Sequence, residues 1–169
     1  KKKKTRGGIA ADGKTGDGWG LLLQKPDGFL RKAAKESLGK TLGELYGIGM
    51  IFLDQDEQKA ANGRSTLEKN LVAQGLEVVG WREVPTDSSC LGPMALDCLP
   101  RIEQVFVEPA GKSEREFAIS MFLGRRHTEK DMAEDSEFYI CSLSHKTLAY
   151  KGLMMPADLP TFYTDFFFF

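Results

Sequence analysis

The sequence predicts an α+β fold with mostly antiparallel sheets. About six short segments have the apolar or alternating pattern of strands, and three longer ones have helix-capping residues and apolar residues at helical spacing. Two of the strands are separated by only three residues, which is typical of a β-hairpin and interrupts a strict alternation of strands and helices. The chain has 169 residues, 41% of them hydrophobic, so residues 1–169 are interpreted as a single domain with its own core.

The predicted strands are apolar runs that end at prolines, glycines or polar turn residues. They are residues 20–25, 46–53, 76–84, 101–107, 137–143 and 147–151. Pro26 and Pro85 end two of them, and Gly47 and Gly49 indicate that the second strand packs closely against its neighbours. The last two strands are expected to form a hairpin that turns at residues 144–146.

The predicted helices begin at residues that cap helix ends and continue with apolar residues on one side. They are residues 29–38 with Asp27 as cap and Gly39 as stop, a segment from Asp54–Glu57 to Gly75, and a segment that begins at Ser113. Ser113 and Glu116 have capping-box spacing, and Phe117, Met121 and Gly124 are expected on the buried side of the third helix. The remaining stretches, one irregular and one a short helical turn, are residues 86–100 and 156–162.

Composition and charge exclude several classes of protein. The chain has 23 Lys and Arg residues against 24 Asp and Glu residues, so it lacks the basic excess of a nucleic-acid-binding protein. No apolar run is long enough to span a membrane. The three cysteines, Cys90, Cys98 and Cys141, do not have the spacing of a disulfide framework, which favours a reducing compartment.

The densest glycine segment is RGGIAADGKTGDGWG, residues 6–20, with six glycines in fifteen residues. Glycine is favoured where the backbone takes a positive φ or passes very close to another group. Charged residues alternate with these glycines, so the segment is predicted to be a shaped polar loop. We call it the arginine–glycine loop.

Part of this loop matches the phosphate-binding pattern G-x-x-x-x-G-K-[ST] through Gly8, Gly13, Lys14 and Thr15. That motif requires a buried strand before it and a helix that begins at the Lys-Thr pair. The preceding residues are KKKKTRG and the following ones GDGWG, which favour neither. Nucleotide binding is therefore not expected.

Five segments resemble a known family in the same order along the chain. They are RGGIAADGKTGDG, YGIGMIFLDQDE, GLEVVGWREVP, IEQVFVEP and FYICSLSHKTLAYKG. The family is the glutamine-hydrolysing domain of glutamate synthase large subunits, a class II glutamine amidotransferase domain. The resemblance implies a four-layer αββα sandwich of the N-terminal nucleophile hydrolase type. It also implies release of ammonia from L-glutamine for transfer to 2-oxoglutarate, which forms L-glutamate.

The resemblance implies one catalytic-site residue in this chain, Arg6, because the family's Arg-Gly motif lies beside the nucleophile. A guanidinium offers a rigid fork of donors that can fix a carboxylate or a carbonyl. Thr5 stands where relatives usually have histidine, and Trp19 where a small residue is usual.

The family's nucleophile is a cysteine at the first residue of the mature chain. Its thiolate attacks the glutamine amide, and its free α-amino group serves as the base. Residue 1 is Lys1, and the three internal cysteines have no free α-amino group. The resemblance also implies that the family's oxyanion-hole Asn-Gly pair and its substrate-clamping Arg and Asp lie further along than this chain reaches. The chain is therefore expected to be an incomplete type-2 amidotransferase domain that lacks both ends and is inactive alone.

No metal is expected in this segment, since His127 and His145 have no partners at metal-ligand spacing. The resemblance implies that no cofactor binds to this segment. The resemblance implies FMN and an iron–sulfur cluster in other domains of the full enzyme. The expected partners are L-glutamine, the remaining domains of the large subunit and a flavin/NADPH small subunit, in an oligomer without nucleic acid or membrane. The expected location is the cytoplasm, or the plastid of a plant or alga. A non-catalytic protein-interaction module derived from the same domain is the alternative.

Overall fold

The computed structural model describes residues 8–168. The strands within these residues are Trp19–Gln24 (β1), Gly47–Leu53 (β2), Glu77–Glu83 (β3), Arg101–Glu108 (β4), Tyr139–Ser144 (β5) and Thr147–Gly152 (β6). The α-helices are Asp27–Leu38 (α1), Glu57–Ala73 (α2), Pro93–Asp97 (α3), Glu114–Asp131 (α4) and Leu159–Phe162 (α5). Short 3₁₀ turns cover Ser88–Cys90 and Thr164–Phe167. The predicted fold class is confirmed: the protein is α+β with antiparallel sheets.

The described residues divide into two compact units. The first comprises residues 8–22, 84–99 and 149–168, and the second comprises residues 23–83 and 100–148. That residues 1–169 form a single domain stays a prediction. No α-helix among residues 8–168 is long and apolar enough to cross a membrane.

The second unit is built on a four-stranded sheet with the strand order β3–β4–β2–β5. All three neighbouring pairs are antiparallel. Met50 of β2 lies opposite Gln104 of β4 on one edge and Ser142 of β5 on the other. β2 is therefore an interior strand, and its residues are buried except for the half-buried Phe52.

The core of this unit joins apolar side chains of α2 and α4 with those of the sheet. The cluster consists of Ile51, Leu53, Ala60, Leu67, Leu71, Leu76, Val105, Val107, Phe117, Met121 and Ile140. Gly47 lies beneath α4, where an added Cβ would come within 2.5 Å of the Met121 sulfur. The predicted burial of Phe117, Met121 and Gly124 on α4 is confirmed.

The helix ends follow the sequence signals except at the predicted caps Asp54 and Asp27. The predicted cap Asp54 is wrong, because it lies two residues before Asp56, the residue that caps α2. The capping box of Ser113 and Glu116 begins α4. Asp56 begins α2 by accepting hydrogen bonds from two backbone amides of its first turn. The predicted Asp27 cap is wrong, because Asp27 is the first residue of α1 and its carboxylate accepts instead from Arg31 Nε at 2.7 Å.

The first unit combines the arginine–glycine loop, the short helices and a two-stranded sheet of β1 and β6. Its core includes a group of aromatic rings: Tyr150 lies 4.8 Å from both Tyr163 and Phe166, centroid to centroid. The Tyr163 hydroxyl donates to the Lys151 carbonyl at 2.6 Å. These contacts fix the chain after β6 against that strand.

The predicted hairpin of residues 137–143 and 147–151 is wrong. The chain does reverse at residues 144–146, where Ser144 Oγ accepts from the amides of Lys146 and Thr147. However, β5 pairs with β2 and β6 pairs with β1, in different sheets. A turn signal fixes a local change of direction, whereas the partner of a strand is decided by distant residues.

We expect two glycine-to-alanine substitutions in helices to have opposite effects on stability. An alanine Cβ at Gly63 in α2 would lie 2.8 Å from Phe138 Cδ2 and 3.0 Å from Leu53 Cδ2. Overpacking of this kind costs about 1–3 kcal/mol, which exceeds the gain of about 1 kcal/mol in helix propensity. Gly63→Ala should therefore lower the free energy of unfolding by about 1 kcal/mol in urea titrations.

Gly28→Ala is the matched control, since Gly28 lies in α1 with no atom within 4 Å of the added Cβ. It should raise the free energy of unfolding by about 0.5 kcal/mol. Equal effects of the two substitutions would contradict the packing argument.

Candidate functional site

The candidate site is the arginine–glycine loop, which the structure describes from Gly8 onward. Arg6, the predicted catalytic residue, lies outside the described residues, as does Thr5. The described part of the site is the loop that directly follows Arg6 in the sequence, together with the residues that hold this loop in place.

Backbone contacts close the loop at its base. Ile9 and Gly16 form an antiparallel bridge. The Asp17 amide donates to the Gly8 carbonyl at 3.2 Å, and the Gly8 amide donates to Asp17 Oδ2 at 2.8 Å. The two sides of the loop therefore run next to each other at Gly8 and Ile9, the first described residues.

The Asp12 carboxylate fixes the tip of the loop. Its Oδ1 accepts from the backbone amides of Lys14 at 2.9 Å and Thr15 at 2.7 Å. Its Oδ2 accepts from the Thr15 hydroxyl. Gly13, which lies between Asp12 and Lys14, has a φ of +71°, which glycine adopts at little steric cost. One carboxylate thus satisfies three donors within a single turn.

The same carboxylate joins the loop to the start of α3. The Met94 amide donates to Asp12 Oδ2 at 3.4 Å. Gly92, the residue before the helix, passes so close that an added Cβ would lie 2.6 Å from Asp12 Oδ2 and 2.5 Å from Thr15 Oγ1. The loop and residues 92–94 therefore pack as one piece.

The outgoing side of the loop lies against the segment that follows β6. An added Cβ at Gly16 would overlap the carbonyl oxygen of Met154. Gly18, two residues later, has a φ of +110°, and β1 begins at Trp19. The loop thus leads into a strand.

This geometry differs from that of a phosphate-binding loop. In such a loop, backbone amides point at the phosphate and a helix begins at the Lys-Thr pair. Here the amides of Lys14 and Thr15 are occupied by Asp12, and the residues after Thr15 lead to β1. The match to the nucleotide-binding pattern is therefore a coincidence of sequence.

The hydrogen bonds to Asp12 change its protonation equilibrium. The Thr15 hydroxyl, followed by the backbone amides of Thr15 and Lys14, lowers the pKa of Asp12 from 3.8 to about 2. A pKa that is lower in the folded state stabilises the fold above the unfolded value. The contribution of Asp12 is therefore present above pH 3.8 and is lost as the pH falls towards 2.

The environment of Cys90 disfavours a reactive thiolate. Burial raises the pKa of the Cys90 thiol, and the nearby charge of Asp158 raises it further. A raised pKa leaves little thiolate, the nucleophilic form, at neutral pH. Within residues 8–168, none of the three cysteines forms a disulfide.

Neither histidine takes part in the hydrogen bonds described for the loop. His145 Nε2 is 3.0 Å from Glu114 Oε1 at the start of α4, and His127 is exposed on α4. Within residues 8–168, no three His, Cys, Asp or Glu residues are grouped in a way that could hold a metal ion.

Sequence reasoning missed the part that residues 92–94 play in the site. They fall in the stretch 86–100 that was predicted to be irregular, whereas the structure has a 3₁₀ turn and α3 there. Pro93 at the first position of α3 was the available signal, since proline is favoured at that position. No local pattern indicates that Gly92 and Met94 contact Asp12.

We expect the Thr15 amide to report the titration of Asp12. Its proton chemical shift, followed by NMR from pH 6 to pH 1.5, should change with a midpoint near the Asp12 pKa of about 2. Asp12→Asn should abolish this transition, whereas Asp17→Asn should leave it in place, because Asp17 binds the amide of Gly8. A midpoint at the ordinary value of 3.8 would contradict the hydrogen-bonding scheme.

Comparisons with known proteins identify the same family as the sequence resemblance does. The model of the family described as "Glutamine amidotransferases class-II" matches residues 1–167. The chain is 38% identical over 165 residues to ferredoxin-dependent glutamate synthase 1 of Arabidopsis thaliana and 39% identical over 166 residues to the ferredoxin-dependent glutamate synthase of Oryza sativa. It is 36% identical over 163 residues to the large chain of the NADPH glutamate synthase of Bacillus subtilis.

These alignments cover 95% of this chain but only 10–11% of each relative. The chain therefore spans about a tenth of the length of the curated relatives that it matches. The matched family model includes the arginine–glycine loop and both compact units. The chain belongs to the class-II glutamine amidotransferases.

Proposed function

We propose that this chain is part of the glutamine-hydrolysing domain of a glutamate synthase. The domain releases ammonia from L-glutamine for transfer to 2-oxoglutarate, which yields L-glutamate. The observation that supports this most directly is the loop that follows Arg6, because its backbone is held by Asp12, Asp17 and the start of α3. Relatives named glutamate synthase that align with 95% of the chain support it further.

In this proposal, the loop serves to position Arg6. The bonds between Gly8 and Asp17 hold the backbone two residues after Arg6. A guanidinium can donate two parallel hydrogen bonds to a carboxylate, such as that of the glutamine substrate. A fixed loop keeps this geometry, and small displacements of such a group reduce the rate strongly.

The reaction needs a nucleophile that none of the three cysteines supplies. In the proposed chemistry, a thiolate attacks the side-chain carbonyl carbon of glutamine, and ammonia leaves as the thioester forms. Water then hydrolyses the thioester and releases glutamate. An α-amino group on the nucleophilic cysteine accepts and returns the proton, so catalysis requires a cysteine with a free amino terminus. We propose that these 169 residues alone are inactive for this reason.

The other components of the reaction lie outside this chain in our proposal. FMN and an iron–sulfur cluster in other domains would supply the electrons that convert 2-oxoglutarate and ammonia into L-glutamate. Either ferredoxin or NADPH supplies the electrons, NADPH acting through a flavin-containing small subunit. The names of the relatives mention ferredoxin for one group and NADPH for the other. The cytoplasm, or a plastid, is the proposed compartment.

The second candidate is a non-catalytic interaction module derived from the same domain. Thr5 and Trp19 differ from the residues usual in the family, and both lie within or next to the arginine–glycine loop. Glutaminase activity of the complete gene product, measured with and without 2-oxoglutarate, separates the two candidates. Absence of ammonia release under both conditions would support the module.

We expect Arg6→Ala in the complete gene product to lower kcat/KM for glutamine hydrolysis by about 100-fold. Arg6→Lys should recover no more than about tenfold, because lysine keeps the charge but lacks the planar fork. Steady-state measurement of released glutamate gives both values.

Lys14→Ala tests the nucleotide alternative in the same assay. The Lys14 side chain is exposed and only its backbone amide binds Asp12, so glutaminase activity should stay within about twofold of the unsubstituted protein. Titration with an ATP analogue should show no binding to either protein. Saturable nucleotide binding that Lys14→Ala removes would overturn the assignment of this loop.

A further inference from the structure

The outward side of α4 carries large apolar residues that the described part of the chain does not cover. Ile119 is 49% exposed, Phe122 is 61% exposed and Leu123 is 37% exposed. They lie at positions i, i+3 and i+4, so they form one patch near the middle of the helix. We call this the α4 patch. Contiguous exposed apolar groups of this kind mark interaction surfaces.

The residues along this side repeat at the spacing of a two-helix seam. They are Glu116, Ile119, Leu123, Arg126 and Lys130, separated alternately by three and four residues. This is the a/d spacing of a heptad, with Phe122 in the flanking g position. All of these residues are exposed, whereas Phe117, Ser120, Met121, Gly124 and Thr128 face the core.

Charge is distributed unevenly along the same side. On this side, Glu116 lies in the first turn of α4 next to Arg115, and Arg126 and Lys130 lie towards its end with Glu129 between them. Two such helices in antiparallel orientation place Glu116 of each beside Arg126 of the other. The helix dipoles are then also opposed, which is favourable.

We propose that the α4 patch binds a second copy of this chain through an antiparallel, two-fold symmetric pair of α4 helices. With the two-fold axis level with residue 121, Ile119 of each copy lies opposite Leu123 of the other. In the same register, Glu116 of each copy lies opposite Arg126 of the other. The α4 patch of one copy thus contacts the α4 patch of the other, as a two-fold interface requires.

The charges select this register over its neighbour. A shift of one residue that pairs Ile119 with Phe122 places Arg115 opposite Arg126. Among residues 8–168, Arg115 has no salt-bridge partner, so only Glu129, which pairs with Arg126, offsets this repulsion. Like charges that meet across an interface oppose association.

The contact is small, so the association is weak. An 18-residue helix is about 27 Å long, and one helix pair buries less than the roughly 1,600 Å² of a standard interface. We expect a dissociation constant in the micromolar range, about 1–100 μM. Such a contact would act together with other contacts between subunits of a larger assembly.

Cross-linking of Phe122→Cys in the complete gene product tests the proposal. The two copies of residue 122 lie near the axis, offset by about 3 Å along the helices. The exposed Cys98 is first replaced by serine, and a short bis-maleimide is added at about 10 μM protein. A covalent dimer should form at least tenfold faster than with the parent protein.

Val72→Cys is the matched control. Val72 is 59% exposed, almost the same as Phe122. It lies on α2, two positions from Asn70, which donates to Asp131 of α4, and so points away from α4. Equal cross-linking of both variants, or none at residue 122, would overturn the proposal. The second result is expected if another part of the same polypeptide covers the patch.

A charge reversal tests the register. Arg126→Glu in the Phe122→Cys protein brings two carboxylates together at each end of the seam and should slow cross-linking about tenfold. Lys40→Glu, an exposed reversal in the loop after α1, should leave the rate unchanged. If Arg126→Glu has no effect, the antiparallel register is wrong.

Discussion

The burial of β2 on both edges and both faces is the constraint on which the second unit depends. β2 pairs with β4 and β5, and its side chains contribute to the core that α2 and α4 cover. An interior strand of this kind cannot accept a larger residue where a helix crosses it, and Gly47 meets that requirement beneath α4. The other three strands of the sheet and the two long helices are therefore arranged around β2.

The first unit is organised by hydrogen bonding to a carboxylate. Asp12 satisfies the donors of its own turn and reaches the start of α3, so residues far apart in sequence are held by one side chain. A loop fixed in this way suits a residue that must be placed accurately beside a substrate. The proposal that the preceding Arg6 binds glutamine depends on this loop. The same hydrogen bonds explain why a sequence that resembles a phosphate-binding loop has a different geometry.

Much of the fold could be predicted from local signals. Strand and helix positions agreed to within a few residues because Pro26, Gly39 and the capping box at Ser113 act locally. The pairing of β5 and β6 could not be predicted, since it depends on strands much earlier in the chain. For the site, glycine density indicated the loop, but the contact of Asp12 with Gly92 and Met94 depends on the tertiary fold.

The separate pairing of β5 and β6 has a consequence for how the chain is made. The two strands follow one another in the sequence, yet each pairs with a strand that is translated much earlier. During synthesis, one edge of β2 therefore stays unpaired until residue 144 has emerged from the ribosome. β1 likewise has no partner strand until residue 152 has emerged. Long-range pairing of this kind slows folding and leaves strand edges open to incorrect partners. A nascent chain stalled before β5 should consequently be the species most dependent on chaperones.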